Sequence, residues 1–273
     1  MLRRLIRQLR EQRRQETKPL HHYAPRPEKK LSDWEPKYPH LQLQLAEKIH
    51  PALRHAFANN TLPEVIETIA PSIYRFPLLA QETVQQFDHE LKELLYWIET
   101  HNVRVQTPNS MNQYGLILSH IGFQHQLNQL MKDTIRPLAT MLFPEVGGES
   151  IDEQHSFIVD YGMSRDTDLG FHVDNSEVTL NFCIGGNFTG SNLYFQGRRC
   201  AEHRQTHHKP QEHLEIEHQP GMAILHAGAH RHGVYPLSKG DRRSLIMWCT
   251  SSTYRANVST ECPDWCGEHT DSM

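Results

Sequence analysis

The chain is 273 residues long, enough for one large domain or two small ones. Its 37% hydrophobic and 22% charged residues suit a soluble globular protein with one sizeable core, and no apolar run approaches the roughly 18 residues of a membrane-spanning helix. A net charge of −4 argues against a dedicated nucleic-acid binder, five cysteines do not make a disulfide scaffold in a chain this long, and 20 histidines invite a search for metal ligands.

The first fourteen residues, MLRRLIRQLREQRR, hold +5 while the remainder holds −9. Leu2, Leu5, Ile6 and Leu9 fall at helical spacing, which predicts an amphipathic basic helix. The segment lacks the apolar core of a secretory signal, and Glu11 and the absence of Ser set it apart from transit peptides. It therefore reads as a surface or partner-docking helix, with a cytoplasmic location expected and organellar import as the alternative. Residues 15–40 are polar and contain prolines at 19, 25, 27, 36 and 39, the composition of a linker that wraps or floats.

From 41 to about 145 the apolar spacing is helical. Ala80–Thr100 places Val84, Phe87, Leu91, Leu94, Leu95 and Ile98 on one face. Gln124–Phe143 does the same with Leu127, Leu130, Met131, Ile135, Leu138, Met141 and Leu142. Ile73–Phe76 reads as a short strand between helices. From about 154 the period changes to two, with glycine and proline turns between short runs. Strands are expected at Ser156–Tyr161, Glu177–Ile184, Asn192–Gln196, His213–His218, Met222–His226 and Ser244–Thr250. In the second of these, Val178, Leu180, Phe182 and Ile184 point one way, and Thr179, Asn181 and Cys183 the other. Helices first and many short strands after predict an α+β chain ending in a β-sandwich or jelly roll. The expected organisation is a basic helix and flexible linker over 1–40, a mainly helical region packing on the barrel over 41–150, a jelly roll over 151–255, and a tail over 256–273.

Two features carry chemistry. In a strand, residues i and i+2 share a face, so His172-Val173-Asp174 directs an imidazole and a carboxylate into one space. That is two thirds of a 2-His-1-carboxylate triad, which leaves positions open on iron; a surface pair is the competing reading. Some sixty residues on, Leu225-His226-Ala-Gly-Ala-His230-Arg-His232 is followed by Arg242-Arg243-Ser244 at the mouth of the apolar run Leu245–Trp248. A guanidinium there needs an anionic partner, which a dicarboxylate ligand or one of the chain's own acidic residues supplies.

Taken together, these features resemble the 2-oxoglutarate- and iron(II)-dependent oxygenases of the prolyl 4-hydroxylase and lysyl hydroxylase type. The resemblance is strongest to the 2-oxoglutarate and iron-dependent oxygenase domain-containing protein 2 family. It is carried by Thr107-Pro-Asn-Ser-Met-Asn-Gln-Tyr-Gly115, Phe171-His-Val-Asp-Asn-Ser-Glu-Val-Thr-Leu-Asn181, Phe188-Thr-Gly-Ser-Asn-Leu-Tyr-Phe195, residues 225–248 and Cys262-Pro263. It implies a double-stranded β-helix, cupin-like, braced by the N-terminal helices. It implies His172, Asp174 and His232 as iron ligands, with His232 preferred to His230 and His226 because the family places an arginine ten residues after the ligand. It implies Arg242 as the anchor for the distal carboxylate of 2-oxoglutarate, with Ser244 and Tyr161 helping to hold the co-substrate; a plain core role is the alternative for Tyr161. The implied activity is hydroxylation of an unidentified substrate, a protein prolyl or lysyl side chain by analogy. It is coupled to O2 and to decarboxylation of 2-oxoglutarate to succinate and CO2, with ascorbate as a candidate reductant. The competing readings are a cupin-like zinc hydrolase or isomerase and an inactive oxygenase fold used as a binding module.

Three other groups of residues stay outside that scheme. Thr179 and Asn181 line either the pocket or a solvated face. Asn112 and Tyr114 read as part of a loop packed on the barrel, with the substrate side of the site as the alternative. Cys200, His203, His207 and His208, with Cys262, Cys266 and His269, match no standard zinc spacing, so the His-rich 203–218 stretch reads as a solvated, insertion-like loop, with a second metal site holding a structural zinc as the alternative.

Overall fold

The computed structural model describes residues 29–259 and 261–268. The expected basic helix at 1–14 and His269 lie outside them. No helix among the described residues is long and apolar enough to cross a membrane.

Eleven strands form two antiparallel sheets. They are β1 (Glu67–Ala70), β2 (Ile73–Pro77), β3 (Gly115–Ile117), β4 (Glu153–Gly162), β5 (Leu169–His172), β6 (Val178–Gly190), β7 (Leu193–Arg198), β8 (His213–Ile216), β9 (Met222–Ala227), β10 (His230–Val234) and β11 (Leu237–Thr250). The larger sheet has the order β1-β2-β9-β6-β11-β4-β3, and the smaller has β5-β10-β7-β8. From β4 onward the chain alternates between them, with β4, β6, β9 and β11 in one and β5, β7, β8 and β10 in the other. This is the winding of a double-stranded β-helix.

The two faces of the larger sheet differ in chemistry because its strands alternate. On the outer face, Leu180, Phe182, Leu225, Leu245 and Met247 form one core with Val84, Phe87, Leu91 and Leu94 of the Gln81–Thr100 helix and with Leu127, Leu130 and Leu138. The periodicity-based faces hold, with one correction: Met141, expected on the apolar stripe, is exposed. The Gln124–Leu142 helix carries Pro137, which has no N–H to offer the preceding turn. The chain accommodates this with a π turn at Met131–Ile135. Ahead of these helices, Trp34 donates to Glu90 and the Tyr38 backbone N–H donates to the same carboxylate, so residues 34–38 lie along the Gln81–Thr100 helix.

A glycine pair opens the sheet at the place that matters most. Gly185 and Gly186 of β6 pair with Arg243 and Arg242 of β11. A Cβ at Gly186 would sit 2.0 Å from the Asp241 carbonyl oxygen, and one at Gly185 would sit 2.4 Å from the Asp88 carboxylate. Any side chain at Gly185 would therefore displace the acid that reaches Arg243.

Candidate functional site

The inner face of the larger sheet, opposite the smaller one, is unusually polar for a core. Thr179, Asn181, His226, Arg242 and Ser244 are all buried. Across from them, β5 and β10 pair with His172 directly opposite His232. Asp174 lies just past the end of β5 rather than within a strand, so the pleat argument for His-x-Asp is corrected. The acid is placed instead by its own backbone N–H, which donates to the Gly228 carbonyl at 3.1 Å.

One ligating atom from each of His172, Asp174 and His232 lies within 4.8 Å of the others. His172 Nε2 is 3.4 Å from Asp174 Oδ1, and His232 Nε2 is 3.6 Å from Asp174 Oδ2. Both imidazoles are oriented from behind: His172 Nδ1 lies 2.8 Å from the Gly170 carbonyl and His232 Nδ1 2.9 Å from the His230 carbonyl. A carbonyl only accepts, so each Nδ1 carries the proton and each Nε2 turns a lone pair toward the carboxylate. Thr179 donates to Asp174 Oδ2 at 2.7 Å and lies 2.7 Å from the Ser176 hydroxyl, which fixes the carboxylate from the other side. Two lone pairs and an anion facing one gap call for a cation, and the outer hydrogen bonds are those that hold metal ligands in register.

The other two histidines of the 226–232 stretch behave differently. His230 donates through Nε2 to the Pro71 carbonyl at 3.1 Å. His226 is fully buried with Nε2 3.9 Å from Asp174 Oδ2, so it stands beside the trio at a greater distance. Phe195 stacks on His232 and meets the edges of both neighbours.

The electrostatics agree with this geometry. Burial pushes the His232 imidazole down to about 3, against the pull of Asp174, so it is neutral in the physiological range. Burial also opposes ionisation of Asp174, but His232, His172 and His226 outweigh it and hold the carboxyl below the usual carboxylate range. His172 is penalised by burial yet ends above its ordinary value, because Asp174 attracts the charge of the protonated ring and accepts a hydrogen bond from Nε2 in that form alone, with the Gly170 carbonyl adding to the rise.

Arg242 is not at a strand mouth, as the apolar run suggests, but in the interior of β11 and fully buried. Its Nη1 donates to the Ser191 carbonyl at 2.6 Å, while Nε and Nη2 have no partner among the described residues. The guanidinium lies 4.6 Å from the centre of the Tyr161 ring, which pairs with Arg242 across β4 and lines the cavity in front of His172, Asp174 and His232. Ser244 Oγ, Asn181 Oδ1 and Ser191 Oγ are also buried without a partner. Burial leads a rise in the Tyr161 pKa, which Arg242 opposes. His218, at the end of the His-rich stretch read as solvated, is instead buried in the same interior; burial first, and the Arg242 charge second, hold it well below its ordinary value and keep it neutral.

The cavity is also lined by Thr179 and Asn181, which resolves the alternative left open for them, and by Asn109 and Asn112. The loop carrying Asn112 therefore does more than pack on the barrel; Tyr114 beside it is exposed. Phe157, Ile246 and Trp248 form the apolar wall. A further correction concerns the cysteines. Cys200, His203, Cys262 and Cys266, expected in or near a solvated loop, come together in a second cluster because the C-terminal segment folds back onto the turn after β7. His207 and His208 stay outside it and are exposed.

Residues 31–148 match the family model described as OGFOD2-like domain. That match covers the largely helical half and ends before His172. The chain is 40% identical over 222 residues to the 2-oxoglutarate and iron-dependent oxygenase domain-containing protein ICU11 of Arabidopsis thaliana, covering 80% of this chain and 56% of that protein. It is 35% identical over 206 residues to the human 2-oxoglutarate and iron-dependent oxygenase domain-containing protein 2, covering 74% of this chain and 55% of the relative. A prolyl hydroxylase from Trichoplax adhaerens, solved with a hypoxia inducible factor peptide fragment, overlays with a TM-score of 0.48 at 13% identity, covering 84% of this chain and 99% of that one. The chain thus spans a little over half the length of the curated relatives it matches. Over the matched span, the chain is similar to the 2-oxoglutarate and iron-dependent oxygenase domain-containing proteins.

Proposed function

We propose that the chain is an Fe(II)- and 2-oxoglutarate-dependent dioxygenase. The observation that carries this is the combination, in the space between the two sheets, of two correctly tautomerised imidazoles around a carboxylate with a buried guanidinium that has no acidic partner among the described residues. His172 Nε2, His232 Nε2 and an Asp174 oxygen would hold the iron, leaving positions open for co-substrates. Bound there, iron supplies the redox chemistry that couples O2 and the decarboxylation of 2-oxoglutarate to hydroxylation of a substrate C–H.

The chain's own residues bind, orient and exclude water. The carbonyls of Gly170 and His230 keep both ligands in the metal-binding tautomer. Thr179 holds Asp174 so that one oxygen faces the gap. Arg242 takes the distal carboxylate of 2-oxoglutarate through Nε and Nη2, with the Ser244 hydroxyl two residues on along the same strand; this satisfies groups otherwise buried at a cost of several kcal/mol. Tyr161 presents its ring to the guanidinium. Phe157, Ile246 and Trp248 keep the cavity dry on one side, while Asn109 and Asn112 offer amides for orienting a substrate on another. The helices of 41–150 serve as the brace of the larger sheet. A protein prolyl or lysyl side chain as the hydroxylated group rests on motif resemblance alone.

Arg242 separates this proposal from a zinc hydrolase, which has no use for a buried cation facing the same interior. The test is succinate release from 2-oxoglutarate by the Fe(II)-loaded protein in air. Wild type turns over, slowly in the absence of prime substrate, and His172→Ala and Asp174→Ala do not. A wild-type rate no higher than that of the two variants, at saturating iron and co-substrate, would leave only a binding module on an oxygenase fold.

A further inference from the structure

Four side chains that the proposed dioxygenase chemistry does not use converge just beyond the end of β7. Cys200 follows that strand by two residues, His203 lies in the turn after it, and Cys262 and Cys266 arrive from the C-terminal segment. His203 Nδ1 is 3.2 Å from Cys200 Sγ, 3.3 Å from Cys262 Sγ and 3.6 Å from Cys266 Sγ, and the sulfurs of Cys200 and Cys262 are 3.5 Å apart. Hydrogen bonding does not explain three sulfurs around one ring nitrogen, which has a single proton or a single lone pair to share. Disulfide chemistry does not explain it either: a disulfide bond is about 2.05 Å long, and all five cysteines are free. A tetrahedral zinc, with Zn–S near 2.3 Å and Zn–N near 2.0–2.1 Å, spaces its ligands roughly 3.5–3.8 Å apart, and the observed separations lie close to those edges.

The surroundings are built as well. The Cys200 backbone N–H donates to Cys266 Sγ at 3.5 Å, the kind of outer bond that stabilises a metal-bound thiolate. Arg199, next to Cys200, makes two contacts with Glu212 at 2.6 and 2.8 Å and one with Glu268 at 2.9 Å. The Gly267 N–H donates to the Arg198 carbonyl at 3.0 Å, and the Arg198 guanidinium lies over the Trp265 ring. The C-terminal segment is therefore fastened on both sides of the cluster. Three sulfurs and one nitrogen, with no fifth ligand among the described residues, make a closed, soft donor set, which suits zinc.

We infer that Cys200, His203, Cys262 and Cys266 bind a structural zinc ion that clasps the 262–266 segment to the turn after β7. The clasp lies close to the other metal centre along the chain path. Arg198, at the end of β7, pairs with His230 of β10, two residues from His232. Zinc would thus secure the β7–β10 pairing on which that histidine depends.

The direct test is metal content of the full chain, purified without added zinc and measured by plasma mass spectrometry. The Asp174→Ala variant is included because zinc also occupies vacant iron sites. About one zinc per chain is expected in Asp174→Ala, at least one in wild type, and close to none when Cys262→Ser/Cys266→Ser is added to Asp174→Ala. If the double serine variant does not fold, cobalt(II) added to metal-stripped Asp174→Ala serves instead. The intense visible bands and thiolate charge transfer of a tetrahedral sulfur site are expected. Mercurial titration of zinc-loaded protein should release the metal in step with thiol modification. Zinc that disappears with Asp174→Ala, cobalt spectra without thiolate charge transfer, or a Cys200–Cys262 disulfide in freshly purified protein would each overturn the zinc site. None of these outcomes bears on Arg242 or on succinate formation, so failure here is distinct from failure of the dioxygenase proposal.

Discussion

Arg242 and Arg243 are neighbours on β11, both buried, and their circumstances are opposite. Arg243 projects to the helix-covered face, where it meets Asp88 at 2.7 Å, Asp241 at 2.5 Å and Asp160 at 3.5 Å. Arg242 projects to the inner face, where among the described residues its only hydrogen bond is to a backbone carbonyl and two of its nitrogens have no partner. The same charge is part of the fold on one face and, in the proposed function, is kept for a ligand on the other. A buried cation without a counter-ion is costly, so persistence of Arg242 in that state points to a partner that arrives from outside.

The contrast is breakable by substitution. Arg243→Met removes a counter-ion from three acids, and a loss of about 3–5 kcal/mol in unfolding free energy is expected, with 2-oxoglutarate affinity per folded molecule unchanged. Arg242→Met is expected to do the reverse. Stability of the ligand-free protein holds or rises, while affinity for 2-oxoglutarate falls by about 2–5 kcal/mol, roughly 30- to 4000-fold. Denaturant melts and calorimetric binding on the two variants decide the matter; equal stability losses with equal affinity would erase the difference between the faces.

Smaller effects sharpen the inner face itself. Thr179→Val keeps the shape but removes the hydrogen bond to Asp174, so metal affinity should drop about 10- to 100-fold with little change in melting temperature. The pH dependence follows from His172, whose pKa is raised. Below that pKa the metal must displace a proton, so Mn(II) affinity weakens as pH falls, by up to about tenfold per unit. His232, pushed down to about 3, adds nothing in the neutral range. Calorimetry in two buffers of different ionisation enthalpy should show proton release growing as pH drops through neutrality; affinity flat from pH 6 to 8 would mean His172 is not a ligand.

Much of this arrangement was legible in the sequence because it rests on periodicity. The two long helical stripes and the alternation of β6 follow from which face is apolar, whereas the pairing of His172 with His232 was not legible and His232 was named by resemblance alone. Asp174 was identified by resemblance and local spacing although the strand reasoning was inexact, since a loop hydrogen bond rather than the pleat positions it. β1, β3 and β10 were not anticipated: each is three to five residues long, too short to display a period. The cysteine cluster was named in the sequence only as the lesser alternative, for a different reason. Its two halves are some sixty residues apart, and only the return of the C-terminal segment, held by Arg198 and Arg199, brings them together. The unpartnered state of Arg242 is likewise invisible in a sequence with 32 acidic residues to offer.

The central claim is that His172, Asp174, His232 and Arg242 form one co-substrate site. Anaerobic titration with Fe(II) and then 2-oxoglutarate tests it most directly, through the visible charge-transfer band of the chelated co-substrate. Wild type should develop the band, His172→Ala should not, and Arg242→Met should need far more 2-oxoglutarate to reach it. A band of equal strength and midpoint in Arg242→Met would contradict the anchor, and a band that survives His172→Ala would contradict the metal centre.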